Sequence, residues 1–250
     1  MKQLYVYFDK ISNHVLCQWI PFVVSDVTIP VPNYILLLKG SSPLAEYDDF
    51  TGFYYIHGQE KVQRFLVELE RKPEMDINWI DFQSLELLHQ LTPQEIADLL
   101  YISHTNTHLH SPFFYKLQNH YIYLSLESGF TKTYYRKIDR FLARLASSIT
   151  KQMIEIVPSS PLSFFKKTEQ IPVLQAELLK DLLPYLKLGI LFSFSQLTKT
   201  DTGYSIPIIV VEDRVYEEKP NMETCIGTID YQLEEKMWQL RLVGEQVGLN

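Results

Sequence analysis

Gln118–Tyr135 reads QNHYIYLSLESGFTKTYY. Aromatic and β-branched residues flank the turn material Glu127-Ser128-Gly129, so the stretch predicts a β-hairpin with arms at Gln118–Leu126 and Phe130–Tyr135. Helical patterns lie on both sides of it. Downstream, Ile138, Phe141, Leu142, Leu145, Ile149 and Met153 recur at helical spacing over Arg136–Met153, while Lys137, Arg140, Arg144 and Lys151 share the other side. A hairpin enclosed by helices breaks the strict β–α alternation that a parallel, doubly wound sheet requires.

Working outward, the first third of the chain reads as sheet. Leu4–Phe8, Val15–Val24, Tyr34–Leu38 and Phe53–Ile56 are short β-branched or aromatic runs separated by turn residues, and their succession predicts a meander. Pro21, Pro30 and Pro32 put the second run at an edge or end it early, because proline cannot donate to a ladder. Over Gln59–Arg71 the period changes: Val62, Phe65, Leu66 and Leu69 mark an amphipathic helix that Pro73 stops. A second helix is expected over Phe82–Leu91. Thr92-Pro93-Gln94-Glu95 then forms a capping box with proline at the first helical position, opening a helix from Pro93 to about Leu100. Beyond the hairpin and its helix, Val173–Leu183 predicts a helix broken at Pro184. Four closing strands are expected at Gly189–Gln196, Tyr204–Val211, Cys225–Tyr231 and Lys236–Val243.

The fold class expected is therefore α+β, with largely antiparallel sheet at the N- and C-terminal ends, a helical middle and an inserted β-hairpin. The Pro158–Pro161 cluster is the boundary candidate, giving regions 1–157 and 158–250, with a single domain as the alternative.

Composition bounds the rest. The chain of 250 residues is 46% hydrophobic and 21% charged, which places it with ordered globular proteins. Cys17 and Cys225 belong to no paired framework and read as buried free thiols of a reducing compartment. Met1–Lys10 lacks a secretory pattern, and no apolar run approaches the roughly 20 residues of a membrane helix, so a cytoplasmic location is expected. A net charge of −7 argues against wrapping nucleic acid or coating an anionic membrane.

No Gly-rich phosphate loop, G-x-S-x-G elbow, H-E-x-x-H pair or metal-spaced Asp pair is present. Chemistry concentrates instead between His89 and His120, where five of the seven histidines fall: His89, His104, His108, His110 and His120. As a helix, His104–His110 would put His104 and His108 on one face; as a strand, it would put His108 and His110 together. Either pair, with Glu95 or Asp98, would suit a divalent transition metal in a metal-dependent enzyme. The structural alternative is that these histidines cap turns and pack against neighbouring rings.

Glu95–Ser103 (EIADLLYIS) also resembles the first helix and turn of a bacterial helix-turn-helix, which runs E-I-A-x-x-L-x-I-S. That resemblance implies a winged-helix-like nucleic-acid-binding regulator spanning residues 82–135. His104, Thr105, Asn106 and His108 would then face base edges, and the hairpin with Lys132 and Arg136 would touch phosphate.

A third reading comes from His110–Tyr123 (HSPFFYKLQNHYIY), whose many rings would form a partner-binding surface wherever they are not core. The reading adopted is a non-catalytic interaction, adaptor or regulatory module. Its binding candidates are His104, Asn106, His108, His110, Phe113 and Phe114; no catalytic residue or cofactor is expected, and the partner expected is another protein. Nucleic acid is disfavoured by charge, and no membrane is expected.

Overall fold

The computed structural model describes residues 4–9, 14–18, 30–72, 75–105, 113–125, 131–156, 171–211 and 224–243. Within these residues helix and antiparallel strand occur in similar measure, an α+β fold. The chain divides into two units, Asp9–Ile138 and Met1–Phe8 with Asp139–Asn250. The Pro158–Pro161 cluster lies outside the described residues.

Asp9–Ile138 is built on one antiparallel sheet. Its strands are β2 (His14–Gln18), β3 (Tyr34–Lys39), β4 (Glu46–Tyr47), β5 (Tyr54–His57), β6 (Asn78–Phe82), β7 (Tyr121–Ser125) and β8 (Thr131–Tyr135), in spatial order β2-β8-β7-β6-β3-β5-β4. The hairpin read from Gln118–Tyr135 is present as β7 and β8, with Tyr121 opposite Tyr135 and Ser125 opposite Thr131. It is not a free wing, because β7 also pairs β6 and β8 also pairs β2. Of the N-terminal meander, the third run pairs with the fourth, as β3 with β5, but the second does not pair with the third. β3 takes β5 and β6 as neighbours, while β2 goes to β8. In sequence, 15 residues including Pro21, Pro30 and Pro32 separate β2 from β3, far more than the two-residue connection of a tight hairpin.

Helix α1 (Gln59–Arg71) lies against β3 and β5 and buries Val62, Phe65, Leu66 and Leu69, the four residues of its apolar stripe. Each such side chain contributes about 1.5–3 kcal/mol relative to an exposed one. The helix expected over Phe82–Leu91 is replaced by the end of strand β6 and a single turn, α2 (Leu85–Leu88), whose Leu87 N–H donates to Ser84 Oγ at 3.3 Å. Strand β6 is buried at all five positions, so it shows no alternation from which a strand could be read. Helix α3 (Pro93–Thr105) starts at the expected capping box. Glu95 N–H donates to Thr92 Oγ1 at 3.3 Å and Thr92 N–H donates to Glu95 Oε2 at 2.7 Å.

The other unit carries β1 (Leu4–Asp9, of which Leu4–Phe8 belong here), β9 (Ile190–Phe192), β10 (Thr198–Lys199), β11 (Gly203–Val210), β12 (Cys225–Gln232) and β13 (Met237–Leu242), ordered β13-β12-β11-β9-β1 with β10 on β11. The N-terminal strand thus pairs near the far end of the chain, Leu4 opposite Phe192. Helix α4 (Ile138–Ile156) contributes Phe141, Leu142, Leu145, Ile149 and Met153 to the core. Pro184 does not break a helix. A 3-10 turn (Leu178–Leu182) runs into the short helix α5 (Leu183–Leu186) with the proline in its first turn, where a missing N–H leaves nothing unsatisfied. Cys225 is a free thiol but only partly buried, its Sγ donating to Gly227 O at 3.3 Å. Cys17 lies in β2, whose side chains are not described. No helix among the described residues is long and apolar enough to cross a membrane.

Candidate functional site

The loop between β4 and β5 carries a set of exposed rings on the Asp9–Ile138 unit. Its sequence, Asp48-Asp49-Phe50-Thr51-Gly52-Phe53, closes through Asp48 N–H donating to Phe53 O and Gly52 N–H donating to Asp48 O, both at 2.9 Å. Asp48 is 7% exposed and gives the loop its shape. Its Oδ2 accepts from Thr51 N–H at 2.9 Å and Thr51 Oγ1 at 2.6 Å, while Oδ1 accepts from His89 Nε2 at 2.7 Å. Gly52 sits at φ 76°, a left-handed conformation that costs a residue with a Cβ about 1 kcal/mol or more. Phe53 and Thr51 turn inward, and the turn holds Phe50 outward.

Three large rings are thereby left facing solvent: Tyr47 at 55%, Phe50 at 50% and Tyr54 at 43% exposure. Tyr47 and Tyr54 meet edge to face at 5.2 Å, across the β4–β5 pair. Phe50 rests against His89 at 5.2 Å. The ledge is flanked by Glu46, whose carboxylate accepts from Lys61 Nζ at 3.0 Å and Tyr55 OH at 3.1 Å. Burial alone would raise the Asp48 carboxyl. The hydrogen bonds from Thr51 Oγ1, His89 and Thr51 N–H, with the charge on His89, outweigh it and hold the pKa below the ordinary carboxylate value. Thr51 Oγ1 donates to Asp48 rather than to His89, so the three residues make a structural clasp and not a nucleophile–base chain.

Of the candidates read from sequence, His104, Phe113 and Phe114 are among the described residues. His104 is exposed on the last turn of α3. Phe113 and Phe114 are partly buried at the start of the turn that leads into β7, where Phe114 N–H donates to Asn119 Oδ1 at 2.7 Å. Asn106, His108 and His110 lie outside the described residues. Of the five clustered histidines, His89 and His120 each stand beside a buried carboxylate from another part of the chain, Asp48 and Asp81 respectively. Among the described residues no three of His, Cys, Asp and Glu are grouped to hold a metal ion.

The helix-turn-helix resemblance also meets a specific obstacle. Helix α3 continues through Tyr101, Ile102 and Ser103, where the resemblance implies the turn. Ser103 is buried, its Oγ donating to Leu38 O at 2.9 Å and its carbonyl accepting from Asn78 Nδ2 at 2.9 Å. A groove of about 800 Å³ runs along the outer side of α1, lined by both acidic and basic side chains, among them Glu60, Arg64, Glu68 and Arg71, and open to solvent.

The sequence reading missed the ledge because its residues were absorbed into strands and turn material. The available signal was Asp48 placed three residues before Thr51 and four before Gly52, a pattern for a side-chain-capped turn. No protein-family model, curated protein or solved structure matches this chain.

Proposed function

We propose that this chain is a non-catalytic interaction or regulatory module that docks another protein on the ledge formed by Tyr47, Phe50, Tyr54 and His89. The observation that supports this reading is the rigid presentation of three rings, each exposed by two-fifths or more, on a loop fixed from beneath by Asp48. Single exposed apolar residues are ordinary; adjoining large rings are not. Aromatic side chains supply much of the binding energy at protein interfaces, and a loop already ordered loses little conformational entropy on docking. The three rings of the ledge are exposed at the surface, where a protein partner can cover them.

The test is capture from extract of the native cells by the immobilised chain, set beside a Tyr47→Ser/Phe50→Ser variant and a control at an exposed leucine in the other unit, Leu233→Ser. A partner retained by the wild type and by Leu233→Ser and lost by the ledge variant is the expected result. Equal capture by all three would remove the ledge from the reading.

A further inference from the structure

A second, separate feature lies at the end of the sheet where β6 and β8 finish and β7 begins. Arg136 directly follows β8, and its N–H donates to the carbonyl of His120 at 2.9 Å. Its side chain is partly buried, with the guanidinium carbon 5.2 Å from the centre of the Phe113 ring. Stacking of this kind satisfies the face of a guanidinium and leaves its N–H edges available. Among the described residues no carboxylate lies within ion-pair distance of Arg136 and no oxygen accepts from its side chain.

Asp81, whose charge reaches Arg136, is engaged elsewhere. Asp81 Oδ1 accepts from His120 N–H at 2.9 Å and Tyr121 N–H at 2.6 Å, and Oδ2 accepts from His120 N–H at 3.1 Å. The carboxylate therefore fastens the start of β7 to β6 and contributes to Arg136 only at a distance. Burial pushes the guanidinium pKa down, and the charge on Asp81 opposes that. The imidazole of His120 faces the same carboxylate, its Nδ1 3.7 Å from Asp81 Oδ2. A planar donor fork that has lost part of its water and gained no acceptor is an incomplete interaction. An oxyanion completes it with short, charge-assisted hydrogen bonds.

We propose that Arg136, seated on Phe113 and beside His120, is a binding site for an oxyanion, a phosphate or carboxylate group carried by a ligand. The site is independent of the aromatic ledge. Lys is not equivalent at such a position, because a point charge cannot reproduce the fork.

The experiment follows the Arg136 Nε–Hε resonance of the full chain by NMR during titration with inorganic phosphate, then acetate, with sodium chloride at matched ionic strength as reference. A saturable shift with phosphate or with acetate that chloride does not reproduce is expected, and the stronger of the two arms identifies the preferred oxyanion. In Arg136→Lys, the protection that the preferred anion gives against thermal unfolding is expected to weaken roughly tenfold in apparent affinity. A wild-type resonance that stays still, or that moves equally with chloride, overturns the proposal whether or not the variant folds.

Discussion

Asp48 shows how a single carboxylate sets the geometry of the proposed docking surface. It is buried, it accepts from three donors, and two of those donors lie in the loop it shapes. Because its folded pKa lies below the ordinary value of 3.8, folding favours the ionised form. The stability this contributes is present above the unfolded pKa and is lost as pH falls through the lower, folded one. Asp48→Asn is therefore expected to destabilise the protein by roughly 1–3 kcal/mol near neutrality, the usual effect of disturbing a buried hydrogen-bonded group. The gap between variant and wild type should close as the medium is acidified below pH of about 4, once the wild-type carboxyl is itself protonated. Denaturant melts at a series of pH values measure this; a gap that widens on acidification would show the sign to be wrong. None of this was legible as a site in the sequence, where Asp48-Asp49 reads only as turn material. The partner His89 is distant along the chain, and no local pattern joins the two.

At the scale of elements, legibility tracked burial on one face. Helix α1 shows its stripe because its opposite side meets solvent, and helix α3 shows its start because a capping box is local. Strand β6 was invisible for the opposite reason. Both of its faces are covered, and it carries Asn78 and Asp81, polar residues that look like loop until their partners are known. Asn78 joins three elements: its Nδ2 donates to Ser103 O on α3 at 2.9 Å, and its Oδ1 accepts from Ser125 N–H on β7 at 2.7 Å. Asn78→Ala leaves both backbone groups without this partner, at about 1–3 kcal/mol for each group left unsatisfied. A fall in the denaturant midpoint with an unchanged slope is the expected outcome. A loss of no more than about 0.5 kcal/mol, the scale of an ordinary surface change, would mean that Asn78 does not tie these elements together.

For the whole molecule, the fold class followed from the order of strands and helices, because a hairpin among helices excludes parallel alternation. Which strands share a sheet did not follow. Leu4–Phe8 joins β9, across most of the chain, and pairing at that separation leaves no mark in a local pattern. Of the clustered histidines that are described, His89 and His120 stand beside separate carboxylates and His104 faces solvent. Rings that look alike in composition are sorted only by folding, Tyr121 and Tyr123 into the core and Tyr47, Phe50 and Tyr54 onto the surface.

Docking through that surface is tested most directly by placing a photoreactive phenylalanine at position 50, and separately at position 233 as the control, in the chain expressed in its native cells. Irradiation is expected to yield a discrete covalent adduct with another protein from position 50 and none from position 233. No adduct at position 50, or the same adducts from both positions, would contradict a docking role for the ledge.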